Sequence, residues 1–183
     1  MKLKLTAWVA LVLIGGVLVA PQPTTGQEKA EVKKGGVDAK TAFKRIKTLA
    51  GTWKSQISGD EHHQGAGTVS YKLTGGGSAL VETQFPGEAH EMVSVYHLDG
   101  DDLRMTHYCA AGNQPRVKLD RVHSTPDNLI FVFDGGTNLD PKKDHHIHGL
   151  KITFRKDGKV DSAWESYQGG KSNGYMIFAL TRK

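Results

Sequence analysis

The chain has 183 residues, a formal net charge of +5, 38% hydrophobic residues and a single cysteine. That length suits one domain with enough mass to bury a real core. Basic residues are spread along the chain instead of gathering on one face, which argues against a nucleic-acid partner, and the lone Cys109 excludes an internal disulfide.

The first residues, MKLKLTAWVALVLIGGVLVAPQPTTGQEKA, place Lys2 and Lys4 ahead of an apolar run from Leu5 to Ala20. A short positive region, an apolar stretch below the roughly 20 residues that span a bilayer, and a tail of small residues form the pattern of a cleavable secretory signal. A cut after Gly26 leaves Thr24 three positions before the bond, so residues 1–26 are expected to be removed. The expected location is secreted or periplasmic, with no stable membrane span after processing. Residues 27–37 are almost without apolar side chains and read as a flexible tether. Residues 38–183 read as a single domain.

Asp38 to Leu49, DAKTAFKRIKTL, spaces Ala39, Ala42, Phe43, Ile46 and Leu49 three and four apart. One apolar stripe predicts a short helix, with Asp38 as its N-cap. Beyond Trp53 the pattern changes to short runs of Val, Tyr, Phe, Ile and Thr cut by Gly, Asp, Asn and Pro. Strands are predicted near 52–58, 66–74, 78–85, 91–98, 103–109, 116–123, 128–134, 147–155, 160–167 and 173–181. Turn signals separate them, among them Gly75-Gly76-Gly77, Asp99 to Asp102 and Asp157-Gly158-Lys159, with a longer loop over Gly135 to Asp144. Consecutive hairpins remove their exposed edges most simply by closing on themselves. The prediction is an all-β fold: an antiparallel up-and-down β-barrel of about ten strands with one short N-terminal helix.

Alternation assigns faces. A hairpin with a four-residue loop at 99–102 opposes Leu98 to Leu103, Tyr96 to Met105, Ser94 to His107 and Met92 to Cys109. His146, His148, Leu150, Ile152 and Phe154 fall on one side of the eighth strand. If both sets point inward, Ser94, Tyr96, His107 and Cys109 are groups inside a barrel cup. The turn after Cys109 then sets Asn113 and Arg116 at its rim. A barrel mouth is a natural small-molecule site, apolar with a few placed polar groups.

The segment FKRIKTLAGTWK joins the helix to Gly51-Thr52-Trp53, and Arg182 lies in the last run, IFALTRK. This resembles the calycin group: lipocalins, fatty-acid-binding proteins and nitrobindin-like barrels. The central part, from GGGSALVE through YHLDGDDLRMTHYC, is similar to bacterial lipocalin-like domains of unknown function. The resemblance implies that Trp53 plugs the closed barrel end and that Arg182 packs over its face. It carries over no ligand set: there is no Arg-x-Tyr pair near the C-terminus, and no histidine follows His148.

Two constellations suggest chemistry. His146 and His148 would lie about 6.6 Å apart along one strand face, and could chelate an ion given a third ligand such as His107 or His97; the plainer reading is solvated histidines at a polar strand start. Cys109 and His107 suggest a nucleophile and base, but an orienting acid such as Glu82 or Glu91 is not placed by the sequence. No catalytic residue is assigned, and no cofactor can be named. The expected function is binding of a small, mostly apolar ligand without catalysis. The alternatives are a metal- or haem-binding barrel with redox or hydrolytic chemistry, and an envelope interaction module.

Overall fold

The computed structural model describes residues 36–59 and 64–183. The expected signal segment, 1–26, and nearly all of the expected tether lie outside the described residues. After a helix α1 (Ala39–Lys47) come ten strands: β1 (Gly51–Ser58), β2 (Gly65–Thr74), β3 (Ala79–Gln84), β4 (Met92–Asp99), β5 (Asp102–Tyr108), β6 (Gln114–Leu119), β7 (Asn128–Thr137), β8 (His146–Phe154), β9 (Val160–Gln168) and β10 (Lys171–Arg182). Each pairs antiparallel with its chain neighbours, and β1 pairs with β10, so the meander closes into the barrel expected. No helix among the described residues is long and apolar enough to cross a membrane.

α1 starts where predicted because Asp38 Oδ1 accepts the Thr41 backbone N–H at 2.9 Å. Its stripe of Ala39, Ala42, Phe43 and Ile46 is buried. Replacing Asp38 with alanine is expected to lower stability by about 1 kcal/mol, the usual worth of an N-cap, as read from urea unfolding. The tether ends earlier than expected: Val37 is buried and its N–H donates to Arg121 O at 3.0 Å.

The helix covers one end of the barrel. Lys47 Nζ donates to Gly77 O beside the β2–β3 turn, and Arg45 pairs with Asp127 before β7. Here Trp53 opposes Arg182 in the β1–β10 ladder, and the guanidinium carbon lies 4.4 Å from the centre of the indole. The Trp53 Nε1–H donates to Leu49 O at 2.7 Å, which fixes the chain leaving the helix. Above this plug the lumen is packed by fully buried chains that include Leu80, Tyr96, Leu103, Met105, Phe131, Ile152, Phe178 and Leu180. Each large apolar chain so buried contributes about 1.5–3 kcal/mol of transfer free energy.

Register agrees with the sequence expectation for Ser94–His107, Tyr96–Met105 and Leu98–Leu103. The loop between these strands is shorter than predicted. Asp99 opposes Asp102, leaving a two-residue turn with Gly100 at φ 59°, the positive φ that a first turn position of this kind demands. Met92 does not reach Cys109, because the ladder stops at Val93–Tyr108 and Cys109 already opens the next turn.

Two strand limits differ most. β6 ends at Leu119 instead of continuing to 123, since the Asp120 carboxylate turns the chain by accepting the N–H groups of Val122 and His123. β7 continues through Gly135 and Gly136, where a loop was expected. A Cβ on Gly136 would stand 3.1 Å from Pro115 Cα and 3.0 Å from Gln114 O. That glycine permits close approach to β6; it does not make a turn.

Candidate ligand-binding site

Inward positions of β3, β4 and β5 stack in two polar levels. At the lower level Glu82 opposes Ser94, and Ser94 opposes His107. Ser94 Oγ and His107 Nδ1 are 2.9 Å apart, and both residues are buried. Tyr96 O–H donates to Glu82 Oε2 at 2.6 Å, and Gln84 Nε2–H donates to Glu82 Oε1 at 3.1 Å. Burial pushes the Glu82 carboxyl above the usual carboxylate range, against the lowering effect of hydrogen bonds from Tyr96, Gln84 and Tyr71. Burial, and then the nearby Glu82 charge, raise Tyr71 and Tyr96. Burial alone pulls His107 down to about 4. The charged form of an acid or a base is disfavoured once water is removed, so this level carries a neutral imidazole.

Above it the packing stops. A cavity of about 180 Å³ lies at the end of the barrel away from α1. Met92, Ile147, Trp164 and Met176 form its apolar wall, Gln84 and His107 its polar floor, and His90, Cys109, Ala110, Ala111 and His145 its mouth. The His107 and Trp164 rings meet at 5.2 Å between centroids, tilted by 47°. An apolar cavity of roughly 150 Å³ in another protein holds benzene, so this one suits a single ring with a small substituent.

Two loops frame the mouth. Asn113 Nδ2–H donates to His145 O at 2.8 Å and ties the β5–β6 turn to the segment before β8. Cys109 Sγ accepts the Ala111 N–H at 3.5 Å. Burial pushes its thiol up, more than backbone hydrogen bonds pull it down. A thiol held protonated is a poor nucleophile, and Cys109 lies beyond the Ser94–His107 pair instead of being joined to it.

Of the expected ligand-binding set, His107 and Cys109 therefore line one cavity, and Ser94 orients the first of them. Tyr96 lies deeper, sealed against Glu82 and edge-on to Phe131 at 6.1 Å. Asn113 is buried at the mouth, but its side chain is spent tying loops. Arg116 is exposed on the outer wall, because Val117 and Leu119 take the inward positions of β6. Trp53 and Arg182 meet as the resemblance implied.

His146 and His148 are not where strict alternation set them. Ile147 opposes Ser166 and Gly149 opposes Glu165, so His148 is the extra residue of a β-bulge. The bulge shifts the alternation by one: Ile147 lines the cavity, and His146 falls on the side away from Leu150 and Ile152. The β7–β8 ladder ends at Val132–Gly149, and rings cluster beyond it. His148 stacks between Phe133 at 4.5 Å and Tyr167 at 3.7 Å, and His146 is covered by the same rings. A carbonyl only accepts, so His146 Nδ1 carries a proton toward Asp144 O at 2.9 Å, and its Nε2 shares a hydrogen bond of 3.0 Å with His148 Nδ1. Three of the four ring nitrogens are committed to each other and to backbone. Burial, then the neighbouring His146, lower the His148 pKa. The suggested third ligands are elsewhere: His107 in the cavity, His97 on the outer face of β4. Among the described residues, no group of three or more His, Cys, Asp and Glu side chains is placed to hold a metal ion.

The sequence reading passed over Gln84, Ile147 and Met176. Trp164 opposes inward-facing Leu150, the side that alternation along β9 gives it. Ile147 was hidden by the bulge, which has no compositional signature. The sequence matches no protein-family model and no curated protein; the closed ten-stranded antiparallel barrel is consistent with a calycin-like fold.

Proposed function

We propose that this chain is a secreted or periplasmic lipocalin-like barrel that binds a small, mostly apolar ligand through the end opposite α1, without transforming it. The observation that carries the reading is the half-packed lumen: solid at the helix end, hollow at the other, with apolar walls over a short polar floor. The Trp53–Arg182 contact at the closed end supports the likeness to lipocalins and their relatives. The signal-like N-terminal residues support export. Non-catalytic binding suits a cavity whose thiol is held protonated and whose imidazole, among the described residues, is hydrogen-bonded to Ser94 and not to an acid.

Native mass spectrometry of protein purified from its own host is expected to show one retained small molecule. Isothermal titration with single-ring compounds is expected to give saturable binding. The Ala110→Trp variant, which fills the exposed mouth, should abolish both while leaving the melting temperature within about 2 °C of the parent, as surface changes do. A parent barrel that carries nothing and takes up none of the compounds defeats the reading.

A further inference from the structure

We infer that the cavity selects an uncharged ligand with a hydrogen-bond acceptor, one ring bearing a carbonyl or hydroxyl oxygen, and discriminates against carboxylates. This rests on the ligand-binding reading above and names the chemistry of the guest. Three observations carry it.

First, no lysine or arginine is among the described residues that line the cavity. A carboxylate that left water for this space would meet no lysine or arginine to pair with, and an unpaired buried ion is costly. At the mouth, His90 already faces Glu88, with Nε2 3.6 Å from the carboxylate.

Second, the nearest fixed acid has the wrong sign for an anion. Glu82 lies one level below Gln84, which is part of the cavity floor, and is held to it by a hydrogen bond. Neutral, it offers no attraction to an anion; ionised, it repels one.

Third, the floor presents a donor. Among the described residues, the hydroxyl of Ser94 has His107 Nδ1 as its one side-chain hydrogen-bond partner, and Ser94 is 1% exposed. The arrangement that leaves no buried O–H unmet has Ser94 donating to Nδ1. The ring proton of the neutral imidazole is then on Nε2, the nitrogen left for a guest in the cavity. An N–H in an apolar pocket asks for an acceptor, and an uncharged oxygen meets it without the desolvation penalty of a full charge.

The test compares benzamide with benzoate, nearly identical in shape and different in charge, with toluene as the apolar reference, by isothermal titration at pH 7.5. Benzamide is expected to bind at least about 100-fold tighter than benzoate, the scale on which burying an unpaired charge acts. In His107→Phe, benzamide should lose about tenfold, the worth of one hydrogen bond, while toluene binding is retained and so reports an intact pocket. Benzoate binding as tightly as benzamide overturns the inference and leaves the ligand-binding reading standing. Unchanged benzamide affinity in His107→Phe removes the donor assignment. Failure of both benzamide and toluene to bind overturns the inference together with the reading on which it rests.

Discussion

Trp53→Ala is expected to be the most damaging single substitution outside the lumen's centre, with a loss of about 3–5 kcal/mol, the range for truncating a buried large aromatic. For a domain of this size that corresponds to a fall of roughly 10 °C in melting temperature. The indole is buried, donates to Leu49 O, and lies under the Arg182 guanidinium. Arg182 in turn donates to Ala50 O at 3.0 Å and to Thr48 O at 2.8 Å. Between them the two side chains hold three consecutive carbonyls after the helix and join the first strand to the last. Arg182→Ala should cost less, about 1–2 kcal/mol, since the guanidinium is exposed and its cation–π contact is screened. Because the two residues share partners, the double variant is expected to fall short of the sum. Strict additivity in denaturant unfolding, or a Trp53→Ala loss below about 1 kcal/mol, well under the usual range, would mean that the barrel end is not organised by this pair.

How much of this was readable in advance depended on whether a signal was local or came from two strands at once. The helix was legible because a cap and a stripe of apolar residues are local features. The ten strands were legible because alternation and turn residues recur, and the register of Ser94 against His107 followed from keeping two apolar sets on one face. The inner floor of the cavity was thus half visible before any coordinates. The failures have separate causes. A bulge adds a residue without changing composition, so His148 reads as an ordinary strand residue, and every face assignment before it on β8 is inverted. Gly135 and Gly136 read as loop because glycine is usually a turn residue; their role here depends on how near β6 comes. Arg116 seemed a rim residue only because β6 was started two residues late. The hollow itself could not be read at all. Whether side chains from opposite walls meet depends on barrel radius and on which rotamers fill the space, and neither is written along the chain.

The same packing makes the protein acid-sensitive at one identifiable residue. In the folded chain His107 titrates at about 4, while an unfolded histidine titrates near 6.5. Between those values the unfolded chain binds a proton that the folded chain refuses, so stability rises with pH across the window. His107's contribution is fully present above pH 6.5 and is lost as the pH falls toward 4. At 1.36 kcal/mol for each pH unit the difference amounts to about 3 kcal/mol. Glu82 acts in the opposite sense: its folded pKa is raised, so the stability it supplies is present at low pH and is lost as the pH rises through its folded value. The net curve of the parent protein is therefore a poor witness, and the informative quantity is its difference from His107→Gln, which keeps a polar group beside Ser94 and removes the titration. Urea unfolding at several pH values from 4 to 7.5 is expected to show the parent losing about 3 kcal/mol relative to the variant on acidification. Glu82→Gln should change the slope with the other sign and leave the His107 window intact. Parallel curves for parent and His107→Gln would show that the imidazole reaches water when charged, and that the floor of the cavity opens more readily than the hydrogen bond of His107 to Ser94 and its contact with Trp164 imply.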